Sequence, residues 1–286
     1  MVGAESGYKR LISKAQAAME YLMTYGWGVL IVAVVLIALF QLGVFNTSAF
    51  AAKAPPGACR IFRPGGPGTS SGAILFGQCS GAIPKFVATF DGTSGIINVP
   101  DNRFIDTSPI TISAWAYLNT VGQQQMFVGK SNQYLLYFDS FGRIARFLIN
   151  NGVFWCGTSS GTTQLSTNTW YFVAGTYDGA TLRLYVNGVL RGSAACAAPQ
   201  TTINQLGMGN ANGWPWWLRG YEVNVQIYNS SLAAADIKTL YQEGRGGLPY
   251  GVRNLVGWWP LNGDTIDYSG NNNNGAISGR VGFISS

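Results

Sequence analysis

Apolar and polar positions change their rhythm twice along the chain. From Tyr21 to Ala52 no residue is charged, and Val29 to Phe40 is apolar without a break. A run that is apolar on every side is not an amphipathic surface helix; it belongs in lipid or among copies of itself. As a helix, Tyr21 to Phe45 would reach about 37 Å, enough to cross a hydrocarbon core of ~30 Å. Residues 51–83 are rich in Pro, Gly and Ser, above all from Arg63 to Gly72, and read as a linker that buries no core.

Beyond Pro84 the period becomes two. Ile110 to Tyr117 alternates apolar with polar or small residues. So does Thr181 to Val186, where Leu182, Leu184 and Val186 would face a core and Arg183 and Tyr185 would face outward. That second run leads into Asn187-Gly188, a strong hairpin signal. Similar runs recur at Phe86–Phe90, Gln133–Phe138, Arg143–Ile149, Trp170–Tyr177 and Tyr221–Tyr228. Many short strands separated by turns predict a mainly β sandwich or jelly roll. One helix is expected over Leu232–Tyr241, capped by Ser230 or Ser231.

Composition agrees with the strands. Only 10% of the 286 residues are charged, against ~25% in an average soluble protein, while 38 are Gly and 13% are aromatic. The net charge of +6 comes from scattered basic residues, apart from Lys9, Arg10 and Lys14 ahead of the apolar run. No basic stripe gathers on one face, which argues against nucleic acid as a partner. The chain has no histidine, so a Ser-His-Asp triad, a Cys-His pair and a His-ligated zinc are excluded. Cys59, Cys79, Cys156 and Cys196 form no CxxC motif and suit two disulfides in an oxidising compartment. Of the three pairings, Cys59–Cys79 and Cys156–Cys196 are favoured, because each falls within one segment of the chain.

The N-terminal run admits three readings: an ordinary secretory signal cut after Ala51, an uncleaved membrane anchor, or something more specific. The string from Ser13 to Leu22 resembles the class III signal of archaeal type IV pilins, with a basic leader, a small residue at the cut and a Glu five residues after it. The resemblance implies cleavage between Ala15 and Gln16 by a prepilin peptidase and a hydrophobic helix over 16–50. It also implies membrane insertion before assembly and self-association into a surface filament. Glu20 would meet the N-terminal amine of a neighbouring subunit, since a charge in an apolar bundle is tolerable only when paired. Ala15 stands where that family often has Gly.

The C-terminal two thirds resembles a second family, the laminin-G-like or concanavalin-A-like jelly rolls. The resemblance rests on Phe90-Asp91-Gly92, Ile110–Trp115, Thr169–Ala174, Tyr177-Asp178-Gly179, Leu184–Gly188 and Ile227–Leu232, in that order, over residues 84–286. The strings Leu255–Leu261 and Asp267–Gly275 look like that family's opening strand and loop, yet here they come last. Either the domain is circularly permuted or a second copy is truncated. Residues 254–286 would then supply an edge to their own domain or to a neighbour's.

An enzyme of this fold would be a glycosidase with two carboxylates across the scissile bond, and no such pair is evident on a strand, so no catalytic activity is expected. Asp267, Asn271 and Asn273 offer oxygens that suit a structural Ca²⁺, or a plain Asx turn. Trp214, in the Gly/Pro loop Asn212–Trp217, is the candidate for stacking against sugar rings. Asn46 and Asn229 open glycosylation sequons. The expected product is an extracellular filament subunit that displays jelly rolls and contacts surface glycans; the alternative is a membrane-anchored, lectin-like carbohydrate-binding adhesin.

Overall fold

The computed structural model describes residues 19–20, 23, 25, 27–37, 58–66, 69–76, 83–106 and 108–286. The chain divides into two units, Met1–Pro55 and Pro56–Ser286. In the first, the continuous helical stretch is 27–37, its side chains exposed on every face. Among the described residues no helix is long and apolar enough to cross a membrane. Of the one long helix expected over 16–50, the described residues show the continuous stretch 27–37, with 19, 20, 23 and 25 also helical, and the rest of that span lies outside them. The leader, with Ala15 and Gln16, lies outside the described residues, while Glu20 is helical and exposed.

The second unit is mainly β. Where a linker was expected, β1 (Ala58–Gly66) and β2 (Thr69–Phe76) pair antiparallel as a hairpin. The sandwich follows: β3 (Phe86–Asp91), β4 (Ile96–Val99), β5 (Ile110–Leu118), β6 (Gln125–Lys130), β7 (Tyr134–Asp139), β8 (Ile144–Asn150) and β9 (Trp155–Gln164). Then come β10 (Trp170–Tyr177), β11 (Thr181–Val186), β12 (Val189–Ala195), β13 (Leu206–Met208), β14 (Arg219–Tyr228), β15 (Leu255–Trp259), β16 (Ala276–Ser278) and β17 (Val281–Ser285). One sheet has the order β12-β11-β10-β5-β14-β3-β17 with β15 also on β14. The other runs β16-β4-β13-β6-β7-β8-β9.

Alternation builds the interior. Ile110, Ile112 and Ala114 of β5 and Leu182, Leu184 and Val186 of β11 meet Leu136, Phe138, Phe147 and Ile149 from the opposite sheet in one core. The expected hairpin is present: Asn187 (φ 52°) and Gly188 (φ 74°) adopt the two positive-φ positions of a type I′ turn. Asn187 also accepts the Phe172 N–H at 3.0 Å, which ties the turn to β10.

Two local expectations are corrected. The helix spans Ala234–Glu243 and its N-cap is Ala233, whose N–H donates to the Asp236 carboxylate at 3.1 Å, so neither serine caps it. Tyr185, expected to face solvent, is buried because this helix covers the outer side of its sheet. There Trp115, Phe172, Tyr185, Ile237 and Leu240 form a second cluster.

The C-terminal segment completes the sandwich of its own chain. β14 pairs with β3 through Arg219–Glu222 and with β15 through Val225–Tyr228, so the two lie end to end along one side of it. The changeover is a bulge at which Asn224 takes φ 54°. Trp259 enters the main core and donates its indole N–H to the Asn273 carbonyl at 2.8 Å. Gly257 is required beside it, since a Cβ there would lie 2.2 Å from the Trp259 ring. β16 then pairs with β4 and β17 with β3, so both sheets gain an edge strand from this segment.

Candidate functional site

The outer face of the seven-stranded sheet carries an aromatic surface. Strand alternation sends Leu135 and Tyr137 outward while Leu136 and Phe138 enter the core. Over Tyr137 lies Trp216, stacked at 4.7 Å between ring centroids and 24° between planes. Trp214 meets Trp216 at 4.4 Å, and Trp155 meets Trp214 edge-on at 5.9 Å. Beneath them are Met126, Leu135 and Ala211, and the three tryptophans are only partly buried. This is a contiguous apolar surface with open ring area, the chemistry that stacks against the C–H faces of planar or saturated rings.

The loop that presents it is pinned at both ends. The Gly209 N–H donates to Phe127 O and Leu218 N–H to Gly209 O. Met126 N–H donates to Trp216 O at 2.9 Å, which extends the β6 edge into the loop. Asn210 Nδ2 donates to Trp214 O at 3.0 Å and Asn212 Nδ2 to Asn98 Oδ1 at 2.8 Å. The Ser131 hydroxyl donates to Asn212 O. The tryptophans therefore project from a backbone held in one conformation, which limits the entropy lost on binding.

Polar groups border the rings. Arg146 sits opposite Tyr137 on β8 and pairs through Nε with Asp139 Oδ2 at 2.6 Å. Burial pushes the Tyr137 phenol up to about 12, with Arg146 drawing it down and Asp139 pushing it up, so it is a neutral hydroxyl at physiological pH.

Trp214 was legible as a candidate and Trp216 shares its loop, but Tyr137, Trp155 and Arg146 come from segments about 60 to 80 residues earlier in the chain. Only the outward phase of Tyr137 in its strand hinted at membership. Asp267, Asn271 and Asn273 are brought together, but as a fastener for β15. Asp267 Oδ1 accepts from the Trp258 and Ser269 N–H groups at 3.0 and 2.8 Å, and Oδ2 accepts from Asn273 N–H at 2.9 Å. Asn271 and Asn273 turn their Nδ2 donors onto Val256 O at 3.2 and 2.7 Å. Both oxygens of the carboxylate are engaged and two amides present nitrogen inward, so these residues do not fit Ca²⁺. No group of three or more Cys, Asp or Glu suited to a metal occurs among the described residues.

Cys156 and Cys196 form a disulfide with Cα atoms 5.9 Å apart, joining the start of β9 to the chain after β12. Cys79 lies outside the described residues, and so does Asn46; Asn229 is exposed just after β14. Two buried ionisable groups escaped sequence reading. Lys130 is fully buried and forms ion pairs with Asp101, at 2.5 Å, and with Asp106. Glu222 lies between the sheets, opposite Ala88 and Ala116, and neither carboxyl oxygen meets a hydrogen-bond partner among the described residues. Burial pushes its pKa well up, outweighing a weak pull from the Gly209 N–H, and it is held as the neutral acid.

Comparison with known proteins places this architecture. Residues 91–238 match the family model Laminin_G_3, described as the concanavalin A-like lectin/glucanases superfamily. Among solved structures, the chain is similar to a putative carbohydrate binding protein from Bacteroides ovatus, with 16% identity and a TM-score of 0.57 over 76% of this chain and 67% of that one. It is also similar to a native heptameric SAP-like pentraxin from Limulus polyphemus, with 14% identity and a TM-score of 0.51 over 71% and 96%. At these identities the likeness is one of fold. No curated protein shows significant sequence similarity to the chain. The family match spans more than half of the chain and coincides with the two-sheet sandwich: the chain belongs to the concanavalin A-like lectin/glucanases superfamily.

Proposed function

We propose that this chain is a carbohydrate-binding, lectin-like module that works outside the cell, without catalysing a reaction, and engages glycans on the aromatic surface of Tyr137, Trp155, Trp214 and Trp216. The observation that carries the reading is the partly open, rigidly anchored Trp214–Trp216 pair on a sheet face. The superfamily and the carbohydrate binding protein among its structural relatives support it. The Cys156–Cys196 bond suits an oxidising compartment. A glycan-array screen of the full-length chain, followed by calorimetry on the best neutral oligosaccharide, tests it. Trp214→Ala should weaken that binding at least roughly tenfold, the scale of losing a central aromatic contact. Unchanged affinity would remove the surface from consideration.

A second reading, a pilus-like filament subunit, rests on the string from Lys14 to Leu22 and on the exposed apolar helical stretch 27–37. It requires a mature protein that begins at Gln16. N-terminal sequencing that returned Met1 or Ala52 would end it.

A further inference from the structure

The opposite face of the sandwich holds a small pocket whose lining is short of acceptors. It is lined by Pro84, Asn224, Arg245, Trp258, Pro260 and Asn262, with Gly246 and Gly247, and its enclosed volume is about 10 Å³. That is room for about one water-sized group, so the pocket admits the oxygen of a ligand's polar group while the rest of the ligand stays outside.

Its origin is the bulge in β14. Asn224, in its positive-φ conformation, donates Nδ2 to Gly247 O at 3.1 Å and accepts the Trp258 indole N–H at 2.9 Å. That holds the turn Gly244–Gly247 over the strand. Gly247 is required there, because a Cβ would lie 2.5 Å from Glu243 O. The turn lays Arg245 on Trp170, with the guanidinium carbon 4.7 Å from the ring centroid.

The hydrogen-bond inventory points to the ligand. Pro84 O accepts from the Ser286 hydroxyl, Pro260 O from Asn224 N–H and Gly247 O from Asn224 Nδ2, so each of these carbonyls already holds a donor. Asn262 uses Oδ1 to accept Phe86 N–H at 2.7 Å, which leaves its Nδ2 donor without an acceptor among the described residues. Arg245 is half-buried, and among the described residues it has neither an ion-pair partner nor a hydrogen-bond acceptor. A cation over a ring engages its charge but not its N–H donors. Burial draws the Arg245 pKa below its ordinary value, as expected where no carboxylate offsets the loss of water. A planar acceptor-only group with one negative charge meets both donors, and a guanidinium binds a carboxylate through two parallel hydrogen bonds.

The setting selects which carboxylate. Trp170, under Arg245, belongs to a partly exposed aromatic patch with Tyr117 and Tyr221, at 5.5 and 6.3 Å between centroids. We infer that this pocket binds the carboxylate of an acidic sugar residue, a hexuronic acid, whose neighbouring rings lie along Tyr117, Trp170 and Tyr221. The inference rests on the carbohydrate reading above and extends it to a second, charge-selective site on the other sheet.

The test compares a glucuronate-containing oligosaccharide with its neutral glucose counterpart by calorimetry on the full-length chain. The acidic ligand should bind more tightly, and raised salt should erode the difference. Arg245→Gln should lower acidic-ligand affinity roughly 10- to 100-fold, the scale of losing hydrogen bonds to a charged group. Arg245→Lys, which keeps the charge and loses the fork, should fall between, and neither variant should change neutral-ligand affinity or Tm. Equal binding of the two ligands, or an acidic preference that survives Arg245→Gln, would overturn the inference. If neutral glycans bind through Trp214 while Arg245→Gln changes nothing, the lectin reading stands and the pocket falls. If no oligosaccharide binds yet free glucuronate shifts the Arg245 Nε–H resonance, the carboxylate pocket stands and the glycan reading falls.

Discussion

On the eight-stranded sheet, Trp115, Phe172 and Tyr185 lie beneath a helix, with Trp115 stacked on Tyr241 at 5.7 Å and 21°. On the seven-stranded sheet, Tyr137 and its tryptophan neighbours are covered, among the described residues, only by the loop that supplies two of them. Both faces are aromatic and both are built by strand alternation. The roof makes the difference. A helix with buried Ile237 and Leu240 turns one set of rings into a second core, whereas a pinned loop leaves the other set with accessible faces. Aromatic content on a sheet therefore does not mark a binding surface; an unroofed and rigidly held aromatic set does.

The comparison can be broken at several points. Removal of residues 254–286 strips β15, β16 and β17 from the two sheets and takes Trp259 from the core. The loss should approach the whole stability of a domain, about 5–15 kcal/mol, and leave bare edges that aggregate. A soluble, cooperatively melting truncation would show the segment to be dispensable. Trp115→Ala, on the roofed face, should cost about 3–5 kcal/mol by denaturant melts and leave glycan affinity per folded molecule unchanged.

Glu222 probes the layer between the two faces. Its folded-state pKa is raised, so the unfolded chain loses this proton first as pH rises. Stability should then fall once pH passes the unfolded value of ~4.3, by up to ~1.4 kcal/mol per pH unit, until the folded pKa is reached. Glu222→Gln should remove this component, and a pH–stability profile unchanged by that substitution would contradict the assignment of a buried neutral acid. The smallest stability effect belongs to the open face, where Trp214→Ala should cost under about 1 kcal/mol in melting experiments.

Regular alternation made β10 and β11 legible to the residue, and Asn187-Gly188 revealed their neighbour's turn, because these signals are local. β6 was not legible. It is buried at every position, including Gln125 and Lys130, whose polarity breaks the period. What makes them tolerable lies elsewhere in the chain: Gln125 Oε1 accepts Arg219 N–H at 2.8 Å, and Lys130 is neutralised by Asp101 and Asp106. The loop from Asp267 to Asn274 shows a different limit. Asx turns and calcium loops use the same residues, and only the direction of each amide separates them. Trp214 could be singled out from its Gly/Pro setting, but its partners on the strands, Tyr137 and Trp155, are assembled by sheet order, which no local pattern encodes. Arg245 depends on a bulge 20 residues earlier in the chain.

The central claim, that the unroofed aromatic face is the one that binds neutral glycans, is tested most directly by following the tryptophan indole N–H resonances during titration of the full-length chain with a neutral glycan ligand. The indole signals of Trp214 and Trp216 should shift in a saturable way, with those of Trp115 and Trp258 fixed in place. Shifts confined to Trp115 or Trp258, or saturable binding that moves neither Trp214 nor Trp216, would contradict the account.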